Sequence, residues 1–144
     1  MPQVDLKVKN PQLERRVELG LCLSEELFDI VAKPDYIWHW LAHWTIFPWR
    51  HNTFLGHCHS IAEGSVSDVF PQTRIAGAIL SYNPLGAPEI DLPVLRNDQV
   101  RVLWLALVTE AELEFSDSKS VSKLRDMLVE ANIGWQQNIR ESVV

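Results

Sequence analysis

The chain has 144 residues, 47% of them apolar and 22% charged, with a net charge of −6 and two cysteines. That length supports one domain with its own core, and an acidic balance with scattered lysines and arginines argues against a nucleic-acid partner, whose phosphates need clustered cations. No apolar run is long enough to span a bilayer, no apolar leader with a basic start is visible, and Cys22 and Cys58 stand in unrelated segments, so the expected setting is a reducing cytoplasm.

Residues 1–12 read as a loose segment ahead of the domain. Val17, Leu19, Leu21 and Leu23 then alternate with Glu18, Gly20 and Cys22, the period-two pattern of a half-buried strand. Ser24 to Lys33 is expected to form a short helix or an acidic connection. Pro34-Asp35 suits a helix start, and Ile37, Trp40, Leu41 and Trp44 fall on one side of the wheel with His39 and His43 nearly opposite. Pro48 is expected to end that helix near Phe47 and open a loop to Phe54. An extended piece follows over 57–61, and Gly64-Ser65 and Pro71 mark a polar connection.

Ile75 to Tyr82 reads as a buried strand and Asn83-Pro84-Leu85-Gly86 as a turn. Pro93 relegates Ile90 to Leu95 to a sheet edge, and Asn97-Asp98 predicts a hairpin turn into Val100–Val108, the most apolar strand and so the central one. Leu103, Leu105 and Leu107 are expected to share a buried face with Ile79 and Trp44. Thr109-Glu110-Ala111-Glu112 is a capping box that starts a helix. After a break at Ser116-Asp117-Ser118, Val121, Leu124 and Leu128 mark a second, with Asn132 or Gly134 as its stop. The sum is an α+β fold, an α/β sandwich with a mixed, largely antiparallel sheet and packed helices, over a single domain, 1–144.

All five histidines and four of the six tryptophans fall between Trp38 and His59. The residue types suit zinc, and a small zinc-dependent hydrolase using His39, His43, His57 and His59 is the rival function, beside a small-molecule binder using the tryptophans. The spacing fits a metal poorly. Trp40, Leu41 and Ala42 stand where a helical H-E-x-x-H site needs its carboxylate, and in an extended segment Cys58 points away from His57 and His59. No metal or cofactor is therefore expected.

No catalytic constellation survives either. The six glycines form no phosphate loop, and there is no G-x-S-x-G elbow. Glu25-Glu26 and Glu110/Glu112/Glu114 lie at helix starts, where the dipole favours acids, and read as solvated ends. Cys58 lacks a histidine base that its neighbours could supply.

The order of segments carries more. V-E-L-G-L-C-L, a helix with W-L-A-H-W, then N-T-F-L-G-H-C-H, T-R-I-A-G-A-I-L, V-R-V-L-W-L-A-L-V-T-E-A-E-L-E and S-K-L-R-D-M-L-V-E resembles the Suppressor of fused family. Glu18-Leu19 match its E-L strand, and Leu41-Ala42 with Trp44 match its L-A-x-Y helix end. Phe54, Gly56 and His57 or His59 match its F-x-x-G-(D)-H loop, and Leu103–Thr109 with Glu112-Leu113 match its strand-to-helix junction. The likeness runs from about Val17 to Glu130. Pro48-Trp49-Arg50 looks like an insertion, and His57 or Cys58 replaces the family's frequent aspartate.

The resemblance implies a non-enzymatic protein-binding domain. Its short single-domain form looks like the bacterial stand-alone members, immunity proteins that sequester polymorphic toxins, and the acidic charge suits capture of a basic toxin. It further implies partner contact around the end of the tryptophan helix and the loop after it, through Trp44, Trp49, Arg50, His57 and His59, residue types that suit an interface hot spot.

Overall fold

The most apolar run of the chain becomes the middle of the sheet. In the computed structural model, which describes residues 17–31, 33–62, 66–92, 94–95 and 98–144, strand β7 (Arg101–Thr109) lies between β1 (Val17–Gly20) and β4 (Ile75–Ser81), with β3 (Ser60–Ile61) beyond β4. β1 runs parallel to β7, with Leu19 beside Leu103, and the other two pairings are antiparallel. The expected mixed, largely antiparallel sheet is what forms.

Such a strand is buried on both faces, so helices must cover both. On one face α2 (Pro34–His51) brings Ile37, Trp40 and Trp44 onto Ala78, Leu80, Leu103, Leu105 and Leu107. On the other, α4 (Glu110–Ser118) and α5 (Val121–Glu130), which supplies Leu124 and Leu128, cover Ile79, Ala106 and Val108. Ile79 therefore sits on the face opposite to the expected one. It pairs with Ala106, and strand parity puts both away from Trp44. Gly77 is required where β4 meets β3: a Cβ there would lie 2.4 Å from the carbonyl oxygen of Ile61.

One open local alternative is decided and several expectations are revised. Ser24 caps a true helix, α1 (Glu25–Asp29), by accepting from the N–H of Leu27 at 3.2 Å. The connection after β3 is less polar than its composition suggests: α3 (Val66–Val69) and Phe70 bury Val66, Val69 and the phenyl ring, which meets Trp40 edge-on. Gly64 and Ser65 lie outside the described residues. β5 (Val94–Leu95) and β6 (Asp98–Gln99) form a small separate hairpin in which Asp98 is a strand residue opposite Leu95, not a turn residue, while Pro93 and Asn97 lie outside the described residues.

Pro48 does not stop α2. Proline cannot donate to the carbonyl four residues back, but its ring is buried in the core and Phe47 stacks on His51 at 4.2 Å, holding one more turn together. The stop is Asn52 in the left-handed region (φ 50°), with the Pro48 carbonyl accepting from the N–H groups of Asn52 and Thr53. α4 likewise runs through the expected break at Ser116 to Ser118. α5 ends at Asn132 (φ 58°): the N–H of Ile133 reaches Leu128 O at 2.8 Å and that of Asn132 reaches Val129 O at 2.9 Å, a Schellman closure.

The capping box forms as expected, Thr109 and Glu112 bonding reciprocally. Glu112 is nevertheless no solvated helix end. It is fully buried, and its carboxylate accepts from Arg140 at 2.6 and 2.9 Å and from the N–H of Val143 at 2.9 Å. Beyond the end of β1, side chains of the C-terminal segment take over the flank of β7. Gln137, in β8 (Gln136–Gln137) beside β2 (Cys22–Leu23), accepts from the N–H of Leu107 at 2.7 Å, and Arg140 donates to the Leu107 carbonyl at 2.9 Å.

Candidate functional site

α2 divides its tryptophans between two environments. Ile37, Trp40, Trp44 and Pro48 recur at three- and four-residue steps and face the sheet. Trp38, Ala42, Thr45 and Trp49 recur at the same steps on the outer side, and there Trp38 is 69% exposed and the flanking Ile46 39%. Trp49 is half-buried, and Arg50 and His51 are exposed in the last turn, where cations suit the negative end of the helix dipole.

The residues expected to meet a partner are thus dispersed. Trp44 is buried and belongs to the core, its ring 4.9 Å from Phe47. Trp49 and Arg50 stand on the helix itself, not in an inserted loop, because α2 continues past Pro48. His43 is not opposite the core stripe but on its flank, edge-on to Trp44 at 5.3 Å. The Nε2 of His43 and the Nε1 of Trp44 are buried without a hydrogen-bond partner.

His57 and His59 part company as well. Residues 57–58 form a turn with Cys58 at φ 62°, in place of the expected extended run. The loop is tied to β4 by Cys58 N–H to Leu80 O and Leu80 N–H to His59 O, each 2.9 Å. His59 folds back, its Nδ1 facing the N–H of Gly56 at 3.3 Å and its ring 4.9 Å from Phe54. His57 turns the other way, stacking on Tyr82 at 5.7 Å and meeting Arg125 of α5 at 2.6 Å through Nε2.

Among the described residues no three of His, Cys, Asp and Glu come together as metal ligands, so His39, His43, His57 and His59 do not assemble the centre that a zinc hydrolase needs. Both cysteines are free thiols, and burial pushes that of Cys22 up in pKa. Among the described residues no helix is long and apolar enough to cross a membrane. Sequence reasoning passed over Trp38, whose signal was its place outside the core stripe.

Fold and surface together define an α/β sandwich with a mixed sheet and an aromatic outer helix face. The family model described as Suppressor of fused protein (SUFU) matches residues 2–140. The chain belongs to the Suppressor of fused family. A solved structure described as "the Sufu-Fu complex crystal structure" has a similar fold, with a TM-score of 0.60 and 12% identity over 76% of this chain. The match covers 46% of that longer chain, so this protein spans about half of it. No curated protein matches the sequence.

Proposed function

We propose that this chain is a non-enzymatic protein-binding domain and works as an immunity protein, sequestering a cognate polymorphic toxin in the bacterial cytoplasm. Binding runs through the outer face and last turn of α2 and the loop after it, with Trp49, Arg50 and His59 as expected from the sequence and Trp38 added, while Trp44 lies in the core and His57 turns to Arg125 on the opposite side of the sheet. The observation that carries the reading is the exposure of Trp38, 69%, on a stripe shared with Ala42 and Trp49 and flanked by Ile46. A tryptophan left in water on a well-packed helix is the kind of residue that anchors an interface. The solved relative was crystallised in a complex, which supports a binding role. The net charge of −6 favours a basic partner, with steering that speeds encounter.

The test is co-expression with the toxin domain encoded by the adjacent gene, followed by calorimetry on the purified pair. Growth should be rescued, and Trp38→Ala and Trp49→Ala should each lose about 2 kcal/mol of affinity at unchanged melting temperature. Absence of a complex overturns the toxin assignment. A complex that is indifferent to both substitutions overturns the site.

A further inference from the structure

On the side of the sheet away from α2, a cleft of about 700 Å³ opens between α5 and the turn at 83–86. Its floor is apolar, made by Ile79, Ala106 and Leu128. Leu85 and Val129 line it as well and are 42% and 46% exposed, so its lips are apolar too. Two guanidinium groups complete the wall. That of Arg101 lies 3.8 Å from the centroid of the Tyr82 ring, and that of Arg125 meets His57, which itself stacks on Tyr82. The four side chains form one packed array that holds both cations in place.

The charges of the two arginines are engaged differently. Arg125 is paired with Asp126 through Nη2 at 3.1 Å, whereas Arg101 has no carboxylate partner among the described residues. The Arg101 guanidinium lies over the Tyr82 ring in a cation–π contact, and no carboxylate among the described residues takes up its N–H donors, the fork that matches a carboxylate bidentately. Asp126 and Glu130 also line the cleft and disfavour a second negative charge.

We propose that this cleft binds an apolar group bearing a single carboxylate, the apolar part seated on Ile79, Ala106 and Leu128 and the carboxylate held by Arg101 beside Arg125. A concave apolar site with a few fixed polar groups is the usual form of a ligand pocket. The carboxylate can belong to a small molecule or to an acidic residue next to an apolar one in a protein segment. The assignment is independent of whether α2 meets a toxin.

Four probes test it by calorimetry and by amide chemical-shift titration: 4-phenylbutyrate, 4-phenyl-1-butanol, inorganic phosphate and the peptide acetyl-Leu-Glu-Phe-amide. Phenylbutyrate or the peptide should bind saturably, shifting amides of 79–85 and 125–134, and the tighter of the two identifies the source of the carboxylate. Arg101→Gln should weaken binding roughly tenfold, the scale of one lost charge-assisted contact. Val129→Glu, at an exposed lip, should weaken it comparably at unchanged melting temperature, and it serves if Arg101→Gln fails to fold. Equal binding of the alcohol overturns the role of Arg101. Tighter binding of phosphate, or no saturable shift with either carboxylate probe at about 10 mM, where even a millimolar site would fill, overturns the proposal.

Discussion

The Nη1 of Arg140 lies 2.6 Å from the Oε1 of Glu112, and the carboxylate so held is wholly excluded from solvent. The contact joins the first turn of α4 to the C-terminal segment 28 residues further on. One side chain thereby caps a helix and anchors the tail.

Removing the cation alone leaves a buried, uncompensated charge. Arg140→Ala should cost about 3–5 kcal/mol in chemical denaturation, and adding Glu112→Gln should recover part of that loss. A cost under about 1 kcal/mol would mean that the tail is not docked in solution.

The pair also sets a pH dependence. Burial alone would raise the Glu112 carboxyl, but hydrogen bonds from Arg140, Thr109 and Val143 and the Arg140 charge outweigh it and hold the pKa below the ordinary value of 4.5. The unfolded chain therefore takes up this proton first as pH falls. The stabilisation is complete above about pH 4.5 and is lost as pH drops through the folded-state value. Denaturation series from pH 7 to pH 3 should show a decline that Glu112→Gln flattens.

Leu105 is 1% exposed in the middle of β7. Leu105→Ala should cost about 2–5 kcal/mol through the cavity it leaves. A loss below about 1 kcal/mol would contradict the packing of α2 on this face.

The two kinds of tryptophan on α2 should respond in opposite ways. Trp44→Ala, in the core, should cost about 3–5 kcal/mol, whereas Trp38→Ala should change stability by less than about 0.5 kcal/mol. Thermal melts of both variants make the comparison, and equal losses would show that Trp38 is covered in solution.

Chelation should leave the melting temperature unchanged, since His39, His43, His57 and His59 lie in no cluster of three ligands among the described residues. Stoichiometric zinc with a drop of several degrees on its removal would revive the hydrolase reading.

What was legible in the sequence was what short-range rules decide. The Thr109-to-Glu112 capping box could be read because both partners stand within one turn. The burial of Glu112 could not, because its cause is Arg140 at the far end of the chain. Pro48 departs from expectation for the same reason: the local rule against proline in a helix is outweighed by a buried ring and an Asn52 stop that composition does not reveal. Parity along β4 is readable, but which parity faces α2 depends on the register with β7, and that register turns Ile79 away from Trp44. Alternation of His57 and His59 fails because nothing in their residue types announces a left-handed Cys58.

β1 accompanies β7 only as far as Trp104, and from there the backbone of β7 would offer unpaired groups on that flank. Gln137 and Arg140 already occupy Leu107 on both its N–H and its carbonyl. A strand from another molecule therefore finds no ladder to extend at that position, and the tail acts as a built-in guard against edge-to-edge aggregation and domain swapping. Clipping the last ten residues would remove this seal, and a shortened chain should be harder to keep in solution than the loss of a few surface residues would suggest.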